Sequence, residues 1–447
     1  IDTDPLVSNA IGGVKLKVYV EDALKAQHIL DSIEKYSIDD EGNAFDDLLK
    51  VLDEATRKKI DANITDTIEE TQEIIYSSLQ NSGFHRTKSE LANKDAIREN
   101  HYGGRLQFNN QSLKIGITGF NSKYEGEYSK NLQVYNQFDL VSNENSAFGL
   151  DYNYILKNYY LFGEITRSKN GAIANIHGLL LSIDPKFSIT ALYRNYPKDY
   201  QNTMANALSE NSKPMNEKGY YIGAEAKLPY NLTFTSSIDL FKFPWLKYQT
   251  TKINSIGYEL LSQLNYRPNK KFNSYFRYKK EEKEINIPEE SPKIQFVGNE
   301  VKSNYRIHLS FKITEEITLK NRIEYTNYKK DNFEQEEGYL VYQDIVYKPK
   351  NKPYSFSTRY ALFDSESFNS RIYAYENDVL YYFYIPAYYK KGSRFYFTAR
   401  YKYRKKFDFW VRYGIWNYRN QETLFSGLEE VEGNIKSDVK IVFRYLF

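Results

Sequence analysis

Cysteine is missing from all 447 residues, which excludes disulfide frameworks, cysteine zinc sites and thiol nucleophiles together. Methionine (2) and tryptophan (3) are scarce, and no run approaches the ~20 apolar residues a membrane-spanning helix needs. The nearest is the short Leu179 to Leu181 cluster, so any membrane role falls to strands. A net charge of +3 is too small to imply nucleic acid by itself. Ile1 to Ala10 has neither a basic start nor an apolar stretch, so an exported chain is expected to have a processed or truncated start.

What the chain has instead is rings: 43 Tyr and 27 Phe in a sequence of mean hydropathy −0.67. Aromatic excess in a hydrophilic chain is what two interfacial girdles of a membrane barrel require. A compact soluble chain of this length would need two or three domains, whereas a barrel needs no solid core.

The closing stretch Ile435 to Phe447 puts Val439, Ile441, Phe443, Tyr445 and Phe447 on one face, with Lys440 and Arg444 on the other. Earlier stretches repeat that period of two. Phe187, Ile189, Ala191 and Tyr193 oppose Ser188, Thr190 and Arg194, and Tyr305, Ile307, Leu309, Phe311 and Ile313 oppose Arg306, His308, Ser310 and Lys312. A dozen such strands with charge on the second face leave a soluble sandwich little from which to build a core.

Short polar links at 109–111, 157–158, 184–186, 229–231, 268–271, 314–316, 349–352 and 405–406 alternate with longer connections such as 121–145, 197–218, 282–302 and 418–434. With Val134 to Leu140 in an outer loop and Glu376 to Asp378 as a further turn, every short link falls on the periplasmic side, the asymmetry of outer-membrane barrels. The expected fold is an all-β transmembrane antiparallel β-barrel of about 20 strands over 58–447, entered through a short α/β segment over 1–57. In that segment Val14 to Val20 alternates as a strand, and helices are expected over Glu21 to Tyr36 and from Asn43 towards Lys59. The segment is a plug, a periplasmic extension or foreign sequence.

Residues 8 to 33, SNAIGGVKLKVYVEDALKAQHILDSI, resemble the tail of a small cytosolic domain family labelled signal-transducing. Its members often continue into a cysteine zinc ribbon. This chain departs from that pattern, and no function is carried across. Residues 78 to 447 are similar to the barrel half of a Bacteroidota outer-membrane family that carries helix-hairpin-helix repeats before the barrel. The likeness rests on SLQNSGFHRTKSELANK (78 to 94), FGEITRS (162 to 168), FPWLKY (243 to 248), YQDIVYKPK (342 to 350), RYALFDSESFNSRIYAYENDVLYYFYIPAYYKKGSRFY (359 to 396) and the closing strand. The resemblance implies the outer membrane of a Gram-negative bacterium and a competence-like role in DNA uptake. The repeats themselves are not in this sequence, so no residue is assigned to DNA contact.

Parity turns Asp151, Glu164, Glu225, Asp239 and Glu259 inward on earlier strands. It turns Arg306, Lys312, Arg322, Arg359, Arg394, Arg400, Arg404 and Arg412 inward on later ones, with Lys320, Lys402, Lys440 and Arg444 beside them. Two readings follow: charges that pair and stiffen a plugged or narrow barrel, which is preferred, or a basic wall and transverse field that guide an anion. The loop acids Asp364, Glu366, Glu376 and Asp378 lack calcium spacing and read as solvated charge. The aromatic connections Phe243 to Tyr248 and Tyr381 to Tyr389 read as interfacial girdle, with ring stacking on a ligand as the rival.

Of five histidines, His28, His85, His101, His177 and His308, only His177 with Ser182 faintly suggests an outer-membrane hydrolase, and five residues apart they face opposite ways. The expectation is a non-catalytic barrel without metal or cofactor, for passage or surface binding of a large solute or macromolecule. The alternatives are a closed structural or adhesion barrel and, third, a hydrolase. Its partners are expected to be outer-membrane lipid and lipopolysaccharide, the barrel assembly machinery reading Tyr445 and Phe447, and an anionic solute or nucleic acid, with no defined small-molecule substrate.

Overall fold

Period-two alternation becomes pleated strand along most of the chain. The computed structural model describes residues 8–11, 14–17, 75–78, 85–288, 296–404, 406–424, 426–427 and 430–447. Two units divide the chain, Ile1–Ile74 and Ile75–Phe447. The first holds a hairpin of β1 (Ser8–Ile11) and β2 (Val14–Lys17), which takes in part of the strand expected at Val14 to Val20. The two helices expected over 21–59 lie outside the described residues.

The second unit begins with β3 (Ile75–Tyr76) and a one-turn helix, α1 (Lys88–Ala92), started by a capping box between Thr87 and Glu90. There follow β4 (Glu99–Asn109), β5 (Leu113–Tyr128), β6 (Ser142–Leu156), β7 (Tyr159–Ser168), β8 (Ile173–Asp184), β9 (Phe187–Tyr196), β10 (Glu217–Leu228), β11 (Leu232–Phe243) and β12 (Ser255–Tyr266). The later strands are β13 (Phe272–Ile287), β14 (Phe296–Lys312), β15 (Ile317–Lys330), β16 (Glu336–Tyr347), β17 (Tyr354–Ser365), β18 (Ile372–Tyr373), β19 (Ala387–Tyr388), β20 (Lys390–Tyr403), β21 (Phe407–Tyr418), β22 (Thr423–Leu424), β23 (Val431–Glu432) and β24 (Ile435–Tyr445).

β3 to β17, β20, β21 and β24 form one closed barrel of eighteen strands among the described residues, seventeen long and one of two residues. Neighbouring long strands pair antiparallel, and β3 pairs parallel with β5. The all-β antiparallel barrel is thus as expected, with seventeen long strands where about twenty are expected. The difference from about twenty arises at Glu376 to Asp378. The segment expected as a turn there belongs to a hairpin that pairs within itself, through β18 with β19 and a bridge of Glu376 with Tyr384, outside the barrel sheet. All eight short links expected from the sequence join alternate strand pairs at one end of the barrel.

Outward faces are apolar and uncovered. On β14, Tyr305, Ile307, Leu309, Phe311 and the adjoining Ile313 are 39 to 48 % exposed, too much large hydrophobic surface in one file for water. Rings close the file at both ends. Tyr278, Tyr305, Tyr325 and Tyr339 stand in direct register on four successive strands, with centroids 5.0 to 6.0 Å apart. At the other end Phe272 meets Tyr266 and Phe311, and Phe407 meets Tyr445, which meets Phe447. Six residues separate Tyr305 from Phe311, about 20 Å of strand, which suits an apolar band of about 25 Å.

Candidate functional site

The connection from β17 to β20, residues 366–389, folds into the lumen. Its root is apolar: Ile372 and Tyr388 are buried with Leu340, Tyr342, Phe363 and Trp416 from the inner wall. Phe363 meets Tyr388 and Trp416 edge to face at 5.6 and 5.7 Å. Burying each such side chain stabilises the root by about 1.5 to 3 kcal/mol. Gly338 makes room on β16, because a Cβ there would lie 2.1 Å from the carbonyl oxygen of Ser370.

Below the root the wall holds the hairpin by charge. Lys302, Arg322 and Arg359, from three strands, donate to the hairpin carbonyls of Asn369 (2.6 Å), Tyr373 (3.0 Å) and Tyr375 (2.8 Å). Glu376 lies between two guanidiniums: Arg394 donates from Nη2 at 3.0 Å and Arg412 from its own Nη2, while the Tyr388 hydroxyl donates at 2.7 Å. Glu376 and Arg394 have no solvent exposure at all. Asp378 accepts from Lys440 at 2.7 Å, midway along the eleven-residue β24, so the hairpin reaches the middle of the barrel. The Asn377 N–H donates to the Tyr396 hydroxyl.

A second connection, residues 197–216, covers the inner faces of earlier strands near the same end. Tyr200 is buried against Ala174 and Tyr196, and Asn145 on β6 bonds both Gln201 and Thr203. The backbone N–H groups of Glu210 and Asn211 donate to Glu217, which also takes Arg194 at 2.6 Å. Burial, and then repulsion from Glu281, raise the pKa of Glu210 above the usual carboxylate range. Burial, and then the Lys130 ammonium, lower that of Lys213.

Most of the expected inward charges lie on inner faces, and most of those are paired with a counter-charge on a nearby strand. Asp151 pairs with Arg105, Asp239 with Arg194, and Glu259 with Lys279. Glu164 accepts from Thr166, while Glu225 lies on the inner face, exposed. Arg306 and Arg322 share Glu324, Arg359 holds Asp344 in two bonds of 2.5 and 2.8 Å, and Arg400 and Arg444 share Asp408. Lys312 closes the inner face of β14. This pairing opposes the transverse-field reading, since each arc carries its own counter-charge. Arg404 is not on the wall: it has a φ of 48° in the turn after β20, over the Tyr403 ring.

Other expectations are corrected by packing. Asp364 and Glu366 are solvent-accessible as expected, but Glu376 and Asp378 are buried in ion pairs. Neither aromatic connection is a girdle. Trp245 packs edge to face on Phe138 at 5.5 Å and donates to the carbonyl of Val134, with Lys198 over both rings, so three outer connections interlock. Tyr388 belongs to the hairpin root, and Tyr384 stacks over Lys440 and Arg412. Tyr445 and Phe447 do lie outward at the end of the chain.

The histidines divide. His85 is exposed, and His28 lies outside the described residues. His177 faces outward beside Tyr152, away from Ser182, and His308 faces inward, stacked on Tyr275. His101 stands within hydrogen-bond reach of both Ser122 (2.8 Å) and Glu99 (3.0 Å), a chain that sequence parity did not reveal. Ser122 has no exposed surface, so its hydroxyl is closed to a substrate.

No protein-family model matches this chain, and no curated protein matches it. Among solved structures it is similar to the outer-membrane-expressed OmpT of Vibrio cholerae, at 8 % identity over 76 % of this chain and 99 % of that one, TM-score 0.36. It is similar to an anion-selective porin from Comamonas acidovorans at 10 % identity, over 78 % of this chain and 100 % of that one, TM-score 0.37. The copper transporter OprC has 7 % identity over 72 % of this chain and 61 % of its own, TM-score 0.40.

Proposed function

We propose that this chain is a non-catalytic outer-membrane channel whose lumen is narrowed by the 366–389 hairpin, and that its cargo is a polar or anionic solute. The observation that carries the reading is the clamp of Glu376 and Asp378 by Arg394, Arg412 and Lys440 at mid-barrel. Cations on the wall facing acids on an inward loop set both bore and selectivity in one place. The outward apolar band meets lipid. DNA uptake is the cargo version implied by the family resemblance, and it rests on that resemblance.

Planar-bilayer conductance tests the proposal. The native chain is expected to give small, weakly selective currents. Glu376→Gln with Asp378→Asn leaves Arg394, Arg412 and Lys440 without their hairpin counter-charges, so conductance should rise and the reversal potential should shift towards anions, less so at high salt. Silence from both proteins after verified insertion would favour the closed structural or adhesion barrel. Blockade of the variant's current by short single-stranded DNA, and not by neutral sugar, would support the nucleic-acid version.

A further inference from the structure

On the outer wall between β10 and β12, two lysines are placed where repulsion is greatest. Lys218 on β10 and Lys242 on β11 are direct cross-strand partners on the outward face, and both are exposed. Like charges directly opposed on one sheet face are destabilising. Among the described residues neither lysine has an ion pair or hydrogen bond, although acids stand close by. Glu282 is held by Lys280 at 3.0 Å and by the Tyr258 hydroxyl at 2.8 Å, and Glu284 by Lys252 at 2.5 Å. The positive charge of the pair is left over.

The lysines stand at one height. Their neighbours one step further down the outward face are Tyr220 and Leu240, also in register, and Tyr220 belongs to the ring at the long-loop end through its contact with Tyr193 at 5.1 Å. Lys218, Lys242, Tyr220, Leu240 and Ile256 line a crevice of about 610 Å³ on this face. Its lining also includes Glu282 and Glu284, each already engaged by a lysine, so the uncompensated charge of the crevice is that of Lys218 and Lys242, beside the exposed apolar surface of Tyr220, Leu240 and Ile256.

From this arrangement we infer a binding site for the phosphorylated headgroup of an outer-leaflet glycolipid: the phosphate bridges Lys218 and Lys242, and an acyl chain lies along Tyr220, Leu240 and Ile256. The inference rests on the membrane placement proposed above. A dianionic phosphate relieves the lysine repulsion, and the crevice below accepts the hydrocarbon that a free phosphate lacks. Each basic side chain near a membrane surface contributes about fivefold to the affinity for anionic lipid.

The full-length barrel, delipidated in detergent, is offered lipid A with and without its phosphates, and retained lipid is measured by mass spectrometry. Native protein should retain the phosphorylated form preferentially. Lys218→Gln with Lys242→Gln should lose that preference by about 25-fold, combining both lysines, while keeping native heat-modifiable gel mobility. The inference is overturned if native protein holds both lipids equally or if the variant retains phosphorylated lipid as the native chain does. Displacement by millimolar inorganic phosphate alone would overturn the lipid part. Failure to insert into vesicles or to show heat-modifiable mobility would count against the membrane reading itself, a separate outcome.

Discussion

Arg394 and Lys391 lie three residues apart on β20, and their ion pairs have very different worth. Lys391 pairs with Asp364 at the solvent-exposed rim, where such pairs contribute below about 1 kcal/mol. Arg394 is fully buried with Glu376 and also approaches Asp438 at 3.6 Å. Removing one partner of a buried pair leaves an uncompensated charge and costs about 3 to 5 kcal/mol. Arg394→Met should therefore lower the urea midpoint of the barrel in vesicles far more than Lys391→Met; equal shifts would show that Glu376 is solvated after all. Parity along the strands was enough to turn Arg359, Arg394 and Arg412 inward. It could not supply the partners of Arg394 and Arg412, because a sequence does not say where the acids of a 24-residue connection come to rest. The surplus of inward bases over inward acids on the late strands was the available signal: buried guanidiniums demand carboxylates, and the nearest unassigned ones were Glu376 and Asp378.

The hairpin at 366–389 is the element on which function turns, and it shares its root with the wall through one residue without a side chain. Adding a methyl at Gly338 drives a carbon into the Ser370 carbonyl, and the backbone must move. Overpacking of this kind costs about 1 to 3 kcal/mol. Gly338→Ala is expected to loosen the hairpin without opening the barrel, so external trypsin should cut after Arg371 in the variant and conductance should rise. An uncut variant with native conductance would mean that the root does not depend on that contact. The eight short links were legible because polar turns of a few residues interrupt strong alternation. The hairpin was not, since its aromatic run Tyr381 to Tyr384 has the composition of a membrane girdle and only tertiary packing turns it inward.

For the whole molecule, alternation decides everything: the same strands that show Ile307 and Leu309 outward show Arg306 and His308 inward. This much was readable from the sequence, because a period of two has only two phases and charge marks the wet one. Strand number was readable only approximately, seventeen long strands against about twenty. The interlocked outer connections around Trp245 were not, since loop-to-loop packing leaves no periodic trace. As the chain has no cysteine, any single introduced thiol is a unique reporter. The decisive measurement is a nitroxide scan of β14 in lipid vesicles, with single cysteines at Ile307, His308, Leu309, Ser310 and Phe311. Positions 307, 309 and 311 should be relaxed mainly by oxygen dissolved in lipid, and 308 and 310 mainly by a water-soluble nickel chelate. Reversed phases, or no alternation at all, would contradict a barrel whose outer face meets hydrocarbon.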